Sequence, residues 1–268
     1  MEFTGARAPA TRDMSQPFVG SSLALTDAGV SSAAAGMEVP VHEIWAVIAV
    51  ETPGCGFFHD RRPQILYERH VFHTLTRGRF DDGDISDPRP GGYGRRGAHQ
   101  YARLSQAMEV SRAAALRSAS WGLGQILGKN CEMAGFADVD AFVRAMSHSE
   151  DAQLAAVARF ITSAGLDKAL RTHDWVTFAR RYNGPAYARN RYDERLDDEY
   201  RRYVVDGVPD LRVRAAQLYL RYLGFKPGPV DGVVGPSTHA AVLAYQTREG
   251  LPTTGVVDDT LIAMITPA

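Results

Sequence analysis

Apolar residues recur three and four apart through most of this chain, the spacing of helices with one buried face. In the run Val41-His42-Glu43-Ile44-Trp45-Ala46-Val47-Ile48-Ala49-Val50-Glu51, the positions Ile44, Val47, Ile48 and Glu51 share a face. Pro40 opens that predicted helix, and Thr52-Pro53-Gly54-Cys55-Gly56 cannot continue it. Upstream, Thr26 and Asp27 offer N-caps for a short Ala-rich helix ending at Gly36. Helical spacing resumes near Tyr101 and persists to Tyr203, over 104–108, 113–118, 139–146, 152–162, 176–182 and 191–202.

Two stretches break the pattern. Residues 1–20 mix Gly, Ala, Pro, Ser and charge without period and predict a flexible N-terminal tail. Residues 53–97 are rich in Gly, Pro, Asp and Arg apart from Ile65-Leu66-Tyr67, too long for a passive connection, and predict a functional loop or small hairpin region. Asp206-Gly207-Val208-Pro209-Asp210 reads as a linker, followed by three short helical segments. The expected organisation is therefore a tail over 1–20, a mainly α domain over 21–205 and a compact module over 206–268. Within the module, Asp231-Gly232-Val233-Val234 and Thr254-Gly255-Val256-Val257 echo one another, either as a duplication or as two similar helix starts.

Composition adds exclusions. The 268 residues are 45% hydrophobic and 23% charged, those of an ordinary globular chain. A formal net charge of −1 gives no basic field to draw nucleic acid or anionic lipid. No run approaches the roughly 18–20 apolar residues that span a bilayer, so no membrane insertion is expected. Met1-Glu2-Phe3-Thr4-Gly5-Ala6-Arg7 lacks the basic and apolar segments of a signal peptide, so synthesis in the cytoplasm and delivery by another route are expected. Cys55 and Cys131 fit no zinc spacing and are either a disulfide pair or two free thiols. The eight histidines form no metal motif, and neither metal nor cofactor is expected.

Glu51 carries the candidate chemistry. A carboxylate on the buried face of a helix, at its C-terminal end, is desolvated and faces the negative end of the helix dipole. Both raise its pKa, as a general acid near neutral pH requires; the alternative is a terminal residue turned to solvent. Three separated pieces accompany it: Glu51-Thr52-Pro53-Gly54-Cys55-Gly56-Phe57-Phe58, Arg117-Ser118-Ala119-Ser120-Trp121-Gly122-Leu123-Gly124-Gln125-Ile126 and Arg181-Tyr182-Asn183-Gly184-Pro185-Ala186-Tyr187. In this order they resemble the goose-type lysozyme and lytic transglycosylase superfamily. With Arg62-Pro63-Gln64-Ile65-Leu66-Tyr67-Glu68-Arg69-His70 and Pro90-Gly91-Gly92-Tyr93-Gly94, residues 25–203 resemble the N-acetylmuramidase domain of phage endolysins. Leu123-Gly124 departs from the bulkier or charged pair expected before Gln125, which bears on the groove floor.

The resemblance implies a lysozyme-like, α-rich catalytic domain that cleaves the MurNAc-GlcNAc β-1,4 bond of peptidoglycan, with Glu51 as acid. Gln125 is expected on an N-acetyl group or sugar hydroxyl, or else as a cap partner in the core. Tyr182 and Asn183, with Tyr187 beyond, are expected to face the cleft, or to form a structural turn. Tyr93 is a candidate stacking platform. Glu68 is the candidate second carboxylate, or else an ion-pair partner of Arg69 or His70; a retaining pair stands about 5–5.5 Å apart and an inverting pair about 6.5–9.5 Å. Asp81, Asp82, Asp84 and Asp87 are expected to form a solvated acidic face.

Residues 211–265 resemble the peptidoglycan-binding domain of wall hydrolases, on Gln217, Leu223-Gly224-Phe225, Val230-Asp231-Gly232-Val233-Val234-Gly235-Pro236-Ser237-Thr238 and Ala244-Tyr245-Gln246. Asp231-Gly232 is expected to make a turn, so the motif is read mainly as scaffold; Asp231 and Tyr245 are the module's candidate positions, Tyr245 either lining a wall-contacting surface or filling the small core. The expectation is a monomeric modular endolysin, its three-helix module anchoring it to peptidoglycan and raising local catalyst concentration, delivered by a holin or secretion system to act in the periplasm or cell wall. The alternatives are a lytic transglycosylase, whose substrate's own C6 hydroxyl closes on C1 to a 1,6-anhydro product, and a non-catalytic wall-binding protein.

Overall fold

The computed structural model describes residues 17–52, 54–80, 83–185 and 187–267. Most of the expected tail lies outside them, as do Asp81 and Asp82. Phe18 already packs on Tyr101 and Trp121, at centroid distances of 5.4 and 5.6 Å, so ordered packing begins inside the 1–20 span.

The protein is mainly α, as expected. Helix α1 (Asp27–Met37) is capped by Thr26, whose side chain accepts from Gly29 N, and ends at Glu38 in the left-handed region. Helix α2 (Val41–Glu51) follows and buries Ile44, Trp45, Ala46, Val47, Ile48 and Val50. It is enclosed on nearly every side rather than along one stripe, which makes it the central helix of the domain. Each fully buried large side chain there stabilises the fold by about 1.5–3 kcal/mol.

The irregular stretch after α2 supplies strand β1 (Ile65–Tyr67) and the short helix α3 (Arg69–Leu75). Helix α4 (Gln100–Arg117) has non-helical backbone at Ser111, where the sequence pattern also divides it in two. Strands β2 (Ala119–Trp121) and β3 (Ile126–Leu127) follow. Antiparallel pairing sets Ile65 opposite Trp121 and Tyr67 opposite Ala119, with Trp121 opposite Ile126 across the hairpin. Helices α5 (Val139–His148), α6 (Glu150–Ser163), α7 (Asp167–Arg171), α8 (Trp175–Tyr182) and α9 (Tyr192–Asp206) complete the domain. Helix α9 packs against α2, and α6 against α1.

Helices α10 (Leu211–Tyr222), α11 (Pro236–Arg248) and α12 (Asp259–Ile265) form the C-terminal module. The internal echo has a structural counterpart. Gln217 Oε1 accepts from the backbone N–H of Asp231 and Gly232, and Gln246 Oε1 from that of Gly255. In each half a helix glutamine pins the turn that leads into the next helix. The module's core does not close on itself: Ala24, Cys55 and Phe57 of the larger domain share it with Tyr219, Leu220, Val230 and Val242. No single described helix is long and apolar enough to cross a membrane.

Candidate active site

Helix α2 stops at Glu51 because Thr52 precedes a proline, which disfavours helical backbone, and Thr52 is extended at φ −135°, ψ 152°. Its N–H and hydroxyl both turn back onto Ile48 O, at 3.0 and 3.2 Å. The Glu51 side chain is thus delivered at a fixed helix end. Burial raises its pKa from 4.5 to about 7, with a hydrogen bond from Asn183 and the charge of Arg195 pulling the other way. Of the two causes expected from the sequence, burial is the dominant one.

Asn183 sits at the C-cap of α8, its N–H bonded to Ala179 O, with Gly184 at φ +82° turning the chain away. That turn aims Asn183 Nδ2 at Glu51 Oε1, 2.6 Å away. Arg195, from α9, donates to Val50 O at 3.0 Å and so caps the acid's own helix.

Glu68 stands at the N-cap of α3 without capping it. Burial raises its pKa, while a hydrogen bond with Tyr93 and the charge of Lys129 oppose the rise. Its Oε2 lies 3.3 Å from His70 Nδ1, yet neither atom has a hydrogen-bond partner, so the contact lacks bonding geometry. Burial, reinforced by Lys129 and Arg69, lowers the His70 pKa, which leaves the imidazole neutral at pH 7. Arg69 spends its guanidinium on Gly91 O, Gly83 O and Asp87. The ion-pair alternative for Glu68 is therefore weak on both sides.

Tyr192 joins the two carboxylates. Its pKa is raised by burial, then by the charge of Glu51 and, more weakly, of Glu68. Tyr93 is raised by burial and then by Glu68, with Tyr192 contributing. Electrostatic coupling thus links Glu51 to Tyr192, and Tyr192 and Tyr93 to Glu68. Tyr93 is 37% exposed, which leaves it open to a ligand.

The remaining candidates support the wall of the site. Gln125, at φ +49° in the β2–β3 turn, donates Nε2 to Gly122 O at 2.8 Å and more weakly to Gln64 O at 3.4 Å. Tyr182 donates its hydroxyl to Gly124 O at 2.8 Å and stacks on Phe178, tying the turn to α8. Gly124 permits this approach, since a Cβ there would collide with Val157 Cγ2 and lie 3.1 Å from the Tyr182 hydroxyl. Tyr187 packs half-buried against the main core in a 3-10 turn.

Asp231 and Tyr245 lie in the C-terminal module and work within it. Asp231 accepts from Gln217 Nε2 and Val233 N–H, and Tyr245 is buried edge-on to Phe225, so of its two expected places Tyr245 takes the core. Asp84 is exposed, as expected, and pairs with Arg103, whereas Asp87 is buried between Arg69 and Arg89 and so is not part of a solvated face. Cys55 and Cys131 are free and buried. Among the described residues no group of three or more His, Cys, Asp and Glu is placed to hold a metal.

Sequence reading missed Tyr192, Arg195 and Lys129. The first two stand three apart on α9, and with Leu196 and Tyr203 they mark its inward face. That pattern is hidden in a helix dense with charge.

Residues 209–265 match the peptidoglycan binding domain family, and residues 40–204 match the family described as N-acetylmuramidase. A solved structure, the Burkholderia AP3 phage endolysin, is 39% identical with a TM-score of 0.62, over 72% of this chain and 74% of that one. A curated protein, localization factor PodJL of Caulobacter vibrioides, is 51% identical over 43 residues, which are 16% of this chain and 4% of that protein. The chain therefore spans only a small part of that curated relative. By the match over most of its length and the endolysin likeness, the chain belongs to the N-acetylmuramidase family and carries a C-terminal peptidoglycan-binding domain.

Proposed function

We propose that this muramidase hydrolyses the β-1,4 bond between MurNAc and GlcNAc in bacterial peptidoglycan, with Glu51 as general acid. One observation carries the reading: the Glu51 carboxyl, its pKa pushed up to about 7 by burial, stands at a helix end and is held by Asn183 at 2.6 Å. A proton held there passes to the glycosidic oxygen as the bond to C1 breaks. Glu68, bonded to Tyr93 and coupled through Tyr192 to Glu51, serves as the second carboxylate, with an unbonded oxygen to accept a proton from water or to stabilise positive charge at C1. Tyr93 and Tyr192 flank the bound glycan, and Gln125 completes the groove with its carbonyl oxygen.

The match to a peptidoglycan-binding family supports anchoring of the C-terminal module to the wall, over 206–268 with the catalytic domain on 21–205. The likeness to a phage endolysin supports action on the cell wall; synthesis in a host cytoplasm, release by a holin-type partner and action as a monomer are the accompanying parts of the proposal.

The test is mass spectrometry of soluble products from purified peptidoglycan, with borohydride reduction and Glu51→Ala as control. Reducible MurNAc ends, absent with Glu51→Ala, support hydrolysis. Products about 18 Da lighter that resist reduction would assign transglycosylation instead and remove Glu68 from the chemistry.

A further inference from the structure

The loop after the acid is gripped from the other domain. Arg214, on α10 of the C-terminal module, is 1% exposed and forms a bidentate pair with Glu150 of α6, itself fully buried. Arg214 also donates Nε and Nη2 to Gly54 O, at 3.1 and 2.6 Å. Glu150 Oε1 in turn accepts from Gly56 N–H at 2.6 Å. One buried ion pair therefore holds the carbonyl and the amide on either side of Cys55, three to five residues beyond Glu51. The guanidinium also lies 5.8 Å over Trp45 of the acid's own helix.

Further contacts reinforce the grip. A Cβ at Gly54 would stand 2.5 Å from Val230 O of the module, so the loop approaches the module's backbone as closely as glycine allows. Cys55 is buried in the module's core, and its carbonyl accepts from Gln64 Nε2 at 2.6 Å. Gln64 O accepts from Gly122 N–H at 2.8 Å and from Gln125 Nε2. An unbroken run of bonds thus connects Arg214 through the 54–56 loop and Gln64 to the turn that bears Gln125.

We infer that Arg214 is a positioning residue for the glycosidase reaction, and that the C-terminal module completes the catalytic site by holding the loop that follows Glu51. This rests on Glu51 being the acid. An interdomain ion pair that served only to glue two domains would need no bonds to Gly54 and Gly56. Here every strong donor direction of Arg214 ends on the catalytic loop or on the carboxylate that holds it.

The test uses the full chain. Arg214→Lys keeps the charge opposite Glu150 and loses the forked grip on Gly54 O. Rates are measured on soluble uncrosslinked glycan strands, which removes wall adsorption from the readout, and are referred to the folded fraction from a thermal melt. We expect kcat to fall about tenfold or more with KM within about twofold. The alkaline limb of the pH profile should shift downward as water reaches Glu51. Sedimentation with purified wall should be unchanged. Arg214→Met combined with Glu150→Gln, which leaves no buried charge, should fold and show the same kcat loss.

Wild-type kcat and pH profile in either variant, or loss only in proportion to unfolding, would overturn the inference in favour of a structural pair. Failure of both variants to fold would do the same. Glu51→Gln run alongside separates the two readings. If that variant keeps full activity, the acid assignment fails whatever Arg214 does; if it is inactive while Arg214→Lys is normal, only the inference fails.

Discussion

Asn183 Nδ2 lies 2.6 Å from Glu51 Oε1, while Oδ1 of the same amide is buried with no hydrogen-bond partner. An orphaned buried acceptor costs about 1–3 kcal/mol, and in a cleft it marks where a ligand donor belongs, such as a sugar hydroxyl or N-acetyl N–H. The bond to Glu51 favours the charged carboxylate and so lowers its pKa. Removing it in Asn183→Ala should raise that pKa further. Because the acid works protonated and activity fades as pH rises through its pKa, the alkaline limb should move to higher pH while kcat falls about tenfold. A pH–rate profile with no upward shift would detach Asn183 from the acid.

The same burial has a stability cost whose sign can be checked. Burial pushes the Glu51 pKa up to about 7 in the folded protein from the 4.5 of an ordinary glutamate, so folding favours its protonated form. Relative to an unperturbed carboxyl, that contribution is fully present below pH 4.5 and is lost as pH rises through about 7, by about 3 kcal/mol in all. Glu51→Gln should therefore be more stable than wild type at pH 8 by about 2–3 kcal/mol, with the gap closing at pH 4. Urea denaturation of both proteins at the two pH values decides it.

On the proposed mechanism, Glu68 sets the other side of the pH profile. Its pKa is raised by burial, so as a base or nucleophile it becomes competent only above the ordinary glutamate range. The profile of kcat/KM should be a narrow bell, its alkaline limb from Glu51 near 7. Glu68→Gln should lower kcat about 100-fold with little change in KM and flatten the acid limb. Unaltered kcat in that variant would leave Glu51 as the sole carboxylate of the reaction.

The two glutamine anchors of the module carry unequal loads. Gln217, 1% exposed, bonds Asp231, Gly232, Val233 and Thr238. Gln246 bonds Gly255 and Thr254. Gln217→Ala should destabilise the protein by about 3 kcal/mol and Gln246→Ala by about 1–2 kcal/mol. Calorimetric melting of the two variants tests the order. Equal shifts would mean that the turns hold without their anchors.

What could be read from the sequence was local. Glu51 was visible because an eleven-residue apolar helix ends on it before a proline, and Asn183 because it closes a helix before Gly184. Helices α3 and α7, of seven and five residues, were missed because they are too short to show a period. Tyr192 and Arg195 stayed hidden because their face emerges only once α9 is laid on α2. Arg214 could not be read at all, since its partner Glu150 is 64 residues away and a buried arginine looks like any surface one in sequence. Asp231 is the opposite case: its motif was plain, and its side chain holds the turn that the motif implied.

The closeness of Gly54 to Val230 O bears on how the protein meets its polymer. A catalyst on a loose leash samples any bond within its reach. Here the segment between the lobes is itself seated, Asp210 capping α10 and Pro209 lying against Gly232, so the lobes are joined by packed contacts rather than by a free tether. A module so joined would set the distance at which the other lobe meets the polymer, and the lengths of the glycan fragments left behind should carry the imprint of that distance.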